Sequence, residues 1–171
     1  MTEIERLCAI ESIRASKARY VYGADNKDWE IFGSAFTVDA VWDLSGFPIA
    51  RLPGSDEWNS EGSSFDLDFL QQVSDMGGWP HVGRSKIMSG ASEATREVVS
   101  SFHALFNPEV SFTSDVTADV VWPFEEKIYF SENSPVRYMN GCGYYLEIYQ
   151  REGSQWLIKQ AKIKPMLVTI S

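Results

Sequence analysis

Residues 22–44 read YGADNKDWEIFGSAFTVDAVWDL, and the breaks within this stretch set out the organisation of the whole chain. Gly23 is expected to end a helix over residues 3–22, in which Ile4, Leu7, Cys8, Ile10, Ile13 and Ala18 form a broad apolar stripe. Asp25 and Asn26 can then cap a second helix by accepting hydrogen bonds from its first free N–H groups. Trp29, Phe32, Gly33 and Phe36 fall at i, i+3, i+4 and i+7 of that helix, the spacing of a single face. Ala40–Leu44 (AVWDL) follows as a short strand.

Downstream, the texture changes. Residues 45–83, about 39 in all, are dominated by Gly, Pro, Ser and acids, and a connection so much longer than an ordinary loop should be functional or partly structured. Phe65, Leu67, Phe69, Leu70 and Val73 suggest a short amphipathic helix over 65–74, suited to a lid, a subunit contact or plain packing. A further helix is expected over 91–100 (ASEATREVVS), with Val98 and Val99 facing inward. Everything after it reads as strand: 102–106, 110–113, 117–124 and 127–130, then two long strands over 143–151 and 155–169 joined by a tight turn at Glu152–Gly153–Ser154. Helices early and strands late, without βαβ alternation, indicate a single α+β domain over 1–171 with a long insertion or lid at about 46–83.

Aromatic residues are abundant, with Trp 6, Tyr 7 and Phe 10 making 13% of 171 residues. They favour either an aromatic-walled cavity or a bulky core, since these side chains bury large areas and Tyr and Trp keep a polar handle. The net charge of −9 argues against a nucleic-acid partner and against an anionic membrane surface, both of which call for a basic stripe. The opening MTEIERLC has early acids and no continuous apolar core, so no secretory signal is expected. No stretch approaches the roughly 20 apolar residues of a membrane span. Two cysteines, Cys8 and Cys142, cannot build a disulfide framework. A cytoplasmic protein with reduced thiols is the expectation.

Proton transfer near neutral pH points first to histidine, and the chain has two. His103 lies in SSFHALFNPEV, on an expected core strand beside Phe102, Leu105 and Phe106. Its imidazole is either a hydrogen-bonded core group or a base oriented by a carboxylate, which would also raise its basicity. His81, in GGWPHVG, reads as a solvated loop residue. Asp25 is free to point inward if Asn26 takes the cap, and Tyr20 sits five residues earlier at the helix end. Base, orienting carboxylate and hydroxyl donor together are the minimum set for removing a proton beside a carbonyl. No Gly-rich phosphate loop, zinc spacing or GxSxG elbow is present, so neither cofactor nor metal is expected. Glu125–Glu126–Lys127 reads as a solvated hairpin end.

The opening stretch, His103 with NPEV, the later TADVVW, and the GYYLEIY…W hairpin resemble, in order, the SnoaL-like and scytalone-dehydratase-like domains of the nuclear transport factor 2 superfamily. The resemblance covers nearly all of the chain except about 46–83. It implies an NTF2-like cone, a curved mixed sheet wrapped around N-terminal helices with an internal pocket. Similarity to scytalone dehydratase implies His103 as base with Asp25 as its orienter, and similarity to bile-acid 7α-dehydratase adds Tyr20 as donor. The chain departs from these relatives in having no second histidine in ADVVWPF. It also has no late arginine, with Pro165 at or near that place and Lys162 and Lys164 close by.

The expectation is therefore a cofactor-free lyase of dehydratase type on a hydrophobic, polycyclic or aromatic small molecule. The alternatives are an isomerase or cyclase on the same scaffold, a non-catalytic ligand-binding or dimerisation module, and the small subunit of a ring-hydroxylating dioxygenase. Trp29, Trp42, Trp122, Tyr145 and Lys164 are candidates for the pocket wall. A homo-oligomer, dimer or trimer, is expected because the family sheet often forms such a face.

Overall fold

The computed structural model describes residues 1–44, 80–134 and 136–171. Helix α1 spans Glu3–Asn26 and opens with a capping box, in which the Thr2 hydroxyl accepts from Glu5 N–H and the Glu5 carboxylate from Thr2 N–H. The helix does not stop at Gly23. It continues to Lys27, whose φ of 55° closes it in the left-handed region. Gly23 serves close packing instead: a Cβ there would lie 2.4 Å from the Phe32 backbone nitrogen. Asp25 is thus a residue of the last helical turn and caps nothing. Asp28 caps helix α2, Trp29–Gly33, accepting from Ile31 N–H at 3.0 Å. The second helix is much shorter than its aromatic spacing suggests, because Phe36 already belongs to strand β1, Phe36–Asp43.

Strand β2 is His81–Val82 and helix α3 is Arg84–Ala94. The helix expected over 91–100 therefore lies a full turn or more earlier, and Val98 and Val99 stand in strand β3, Val98–Leu105. Val98 is buried there, while Val99 faces solvent. Strands β4 (Glu109–Phe112), β5 (Thr117–Phe130), β6 (Tyr138–Glu152) and β7 (Gln155–Ile170) follow. Most of the expected insertion, residues 46–79 with its 65–74 helix, lies outside the described residues.

Among the described residues the strands form a curved, unclosed seven-stranded sheet in the order β2-β1-β7-β6-β5-β3, with β4 also on β5. Only β1 and β7 run parallel; the other pairs are antiparallel. Two strands expected at 117–124 and 127–130 are one continuous β5, which carries Pro123 in its middle. The Pro123 carbonyl accepts from Phe106 N–H at 3.0 Å, at the gap between the β4 and β3 pairings. Its missing N–H falls on that same edge, where no ladder bond is lost. The β6–β7 turn lies where expected, with Gly153 at a φ of 61°.

Alternation aligns the inward positions in rows across the strands. One row runs His103–Glu126–Gly141–Val168, the next Leu105–Phe124–Gly143–Pro165, then Trp122–Tyr145–Ile163, then Val120–Glu147–Ala161–Trp42. Helix α1 lies over this concave face, and Ile13, Phe32 and Phe36 fill the space between helices and sheet at no more than 1% exposure.

Candidate active site

The last turn of α1 crosses β3, and that crossing builds the site. Asp25 there receives three hydrogen bonds from one strand: Ser101 Oγ–H to Oδ1 at 2.7 Å, the His103 backbone N–H to Oδ2 at 3.0 Å, and His103 Nδ1–H to Oδ1 at 2.6 Å. The bonds fix both the position of the carboxylate and the tautomer of the ring. Burial alone would raise the Asp25 pKa, but its bonds to His103 and Ser101 outweigh that and hold it below the usual carboxylate value. With side chains 12% and 16% exposed, His103 and Asp25 are neither sealed in the core nor free on the surface.

On the other ring nitrogen stands a residue that the sequence reading placed elsewhere. Glu126 pairs with His103 across β3 and β5, and its Oε2 lies 3.4 Å from His103 Nε2. It is 4% exposed, not a solvated hairpin end. The signal was present in period two: Ala118, Val120, Trp122 and Phe124 are all inward on β5, and Glu126 continues their phase. Burial opposes a charge on His103, yet the hydrogen bonds and charges of Asp25 and Glu126 prevail and lift its pKa to about 9. At neutral pH the imidazole is a cation between two carboxylates.

Tyr20 is 4% exposed and lies deeper, its ring 5.7 Å from that of Tyr145. Its hydroxyl accepts from Trp42 Nε1–H at 3.2 Å. Burial, followed by the Glu147 charge, pushes the phenol upward, so it stays protonated and able to donate. Trp42, Trp122 and Tyr145 are buried on the concave face, and Trp29 is half-buried with its ring edge-on to Phe32 at 5.8 Å.

Lys164 does not join them. It is exposed, out of phase with buried Ile163 and Pro165, so it faces away from the interior. Its removal from the pocket wall follows from the two-residue period of β7. His81 also differs from the expectation of a solvated residue. It is 2% exposed on β2, opposite Trp42 and with the rings 6.1 Å apart. Burial and then the Lys86 charge lower its pKa, so this second histidine is neutral where His103 is charged.

A second buried ionic group was not anticipated. Lys17 Nζ donates to Glu147 Oε1 at 2.6 Å, both side chains being fully buried, and Tyr149 O–H donates to Glu147 Oε2 at 2.8 Å. The ammonium also sits 3.4 and 3.9 Å from the ring centroids of Tyr145 and Tyr20, a cation–π sandwich. Burial pushes the Lys17 pKa down to about 8, against the opposing pull of Glu147. Ile13, Lys17 and Tyr20 share one helix face, and Tyr145, Glu147 and Tyr149 one strand face, which is how both charges come to be inside. Among the described residues no group of three or more His, Cys, Asp and Glu has the arrangement of a metal site.

The profile of the SnoaL-like domain matches residues 5–162. The chain belongs to the SnoaL-like family. A search of curated proteins finds no match. Among solved structures, the SnoaL-like chain resembles a candidate scytalone dehydratase from Novosphingobium aromaticivorans, at 14% identity and TM-score 0.72, covering 98% of this chain and 91% of that one. It also resembles a hexachlorocyclohexane dehydrochlorinase from Novosphingobium barchaimii, at 12% identity and TM-score 0.72, covering 99% and 94%. A third likeness is to a candidate aromatic ring hydroxylase from N. aromaticivorans, at 18% identity and TM-score 0.71, covering 100% and 96%. These likenesses establish the NTF2-like α+β cone and leave activity to the site. No described helix is long and apolar enough to cross a membrane.

Proposed function

We propose that this SnoaL-like protein is a small-molecule lyase of dehydratase type or an isomerase, with Asp25 and His103 as its acid–base centre. The observation that carries this reading is the 2.6 Å bond from His103 Nδ1–H to an Asp25 carboxylate fixed by two further donors. Such a bond spends Nδ1 on orientation and leaves Nε2 to move a proton. Support comes from the fold: two structural neighbours are named for eliminations, one of water and one of hydrogen chloride. Trp42, Trp122 and Tyr145 offer an aromatic wall suited to a hydrophobic, polycyclic or aromatic substrate. Tyr20, kept as a phenol, is the donor to a substrate oxygen.

The test is turnover of hydroxylated aromatic and polycyclic ketones by the wild type and by His103→Ala. Proton transfer by a positioned side chain contributes about 10²- to 10⁴-fold, and the variant should lose that factor while remaining folded. Full activity in His103→Ala would end this reading. A homodimer through the outer sheet face is part of the same proposal, since Tyr144, Leu146, Ile148, Met166 and Leu167 are exposed there. Light scattering should give twice the chain mass, and Leu146→Glu should return it to one.

A further inference from the structure

We infer that Glu126 is the general base of this site, with His103 acting opposite it as the acid. The assignment rests on the elimination reading above and reverses the role that the family resemblance implies for His103. Three observations support it. Glu126 is buried at 4% exposure, yet its Oε1 has no hydrogen-bond partner among the described residues. A buried carboxylate oxygen without a donor is costly, and a substrate arriving there relieves it. The inward position beside it is Gly141, where a Cβ would stand 2.9 Å from Oε1, so only a residue without a side chain leaves room there for the carboxylate.

The third observation is the arrangement around the ring. Asp25 from α1 faces Nδ1 and Glu126 from β5 faces Nε2. Ser101 on β3 adds a hydroxyl to Asp25, and Gly141 on β6 brings no charge. Between two carboxylates the imidazole carries two protons, with its pKa lifted to about 9, and a ring in that state gives a proton rather than takes one.

The chemistry closes on these two residues. Glu126 Oε1 takes the proton from the carbon α to the substrate carbonyl, and the C–H electron pair becomes the new C=C bond. The C–O bond at the β-carbon breaks with its electrons on oxygen, which takes the Nε2 proton of His103 and departs as water. The proton now on Glu126 Oε1 returns to neutral His103 Nε2 once the carboxyl group turns, Oε2 being the oxygen that stands 3.4 Å from that nitrogen at rest, and the resting state returns. No net proton is exchanged with solvent.

The experiment is the pH dependence of kcat/KM on β-hydroxy cyclic ketones, 3-hydroxy-1-tetralone first, whose dehydration yields 1-naphthol and is followed by absorbance. The variants are Glu126→Gln, which keeps shape, Glu126→Asp, which keeps charge, and His103→Ala. If His103 is the acid, kcat/KM falls tenfold per unit above pH about 9, as the ring loses the proton it must give. Glu126→Gln should lose at least about 100-fold, chiefly in kcat, with partial recovery in Glu126→Asp. A profile that instead rises through pH 9, with Glu126→Gln near wild type and His103→Ala inactive, overturns this assignment and leaves His103 as the base. Failure of the wild type to turn over any such ketone, or full activity in all three variants, overturns the elimination reading together with it.

Discussion

Replacing Lys17 with methionine keeps most of the side-chain volume but removes the ammonium that neutralises Glu147. What remains is a buried carboxylate held by the Tyr149 hydroxyl at 2.8 Å. Breaking one partner of a buried ion pair costs about 3–5 kcal/mol, because the surviving charge stays out of water. Against a typical net stability of about 5–15 kcal/mol this is a large share. At about 2–4 °C per kcal/mol for a chain of this size, the melting temperature should fall by about 6–20 °C. Removing both charges is a different matter. Lys17→Met with Glu147→Leu replaces the pair by apolar groups, and such replacements are neutral or stabilising by about 1–4 kcal/mol. Urea unfolding of wild type, both single variants and the double variant closes a thermodynamic cycle. A coupling of several kcal/mol is expected, with the double variant near wild type. A loss below about 1 kcal/mol in Lys17→Met, or singles that simply add, would refute the argument.

Two further predictions concern other parts of the molecule. The folded protein binds the His103 proton more tightly than the unfolded chain, with a pKa of about 9 against an ordinary 6.5. The resulting stabilisation is complete below pH 6.5 and is lost as pH rises through about 9, and it amounts to roughly 3 kcal/mol at about 1.4 kcal/mol per pKa unit. Lys17 slopes the other way between about pH 8 and 10.5. Unfolding should therefore be compared between wild type and His103→Gln at pH 6, 8 and 10, and the gap between them should narrow with rising pH. Gly23→Ala should destabilise by about 1–3 kcal/mol despite Ala being the better helix former, since its Cβ meets backbone 2.4 Å away; a stabilised variant by thermal melt would contradict the packing argument.

Fold class was legible because element order survives errors in element boundaries. The run of strands from 102 to 169 and the helix at the start were both read from periodicity, and the resemblance located the cone. Boundaries failed where a residue served packing in place of its usual signal. Gly23 marked close approach of α2 and not a helix end, and Pro123 sat on a strand edge that needed no N–H. The Asp25–His103 contact, 78 residues apart in sequence, was legible through the resemblance and through the scarcity of histidine. Glu126 was missed because an acidic pair before a lysine looks like a solvated turn until β5 is seen to be continuous. Lys17 and Glu147 were missed because charged residues are rarely placed in a core unless paired, and pairing between α1 and β6 is a tertiary fact. Lys164 was misplaced for want of the register: one residue along β7 exchanges inside for outside.

The central claim is that Asp25 and His103 form one coupled acid–base unit. The measurement closest to it is a nitrogen-15 NMR titration of the imidazoles, which needs no substrate and concerns only His81 and His103. One ring should titrate at about pH 9, assigned to His103 by its loss in His103→Ala, and a second below 6.5, that of His81. In Asp25→Asn the higher of the two should fall, since one of the two flanking charges is gone. Both rings titrating near 6.5 in the wild type, or an upper value untouched by Asp25→Asn, would show that the two residues are not coupled.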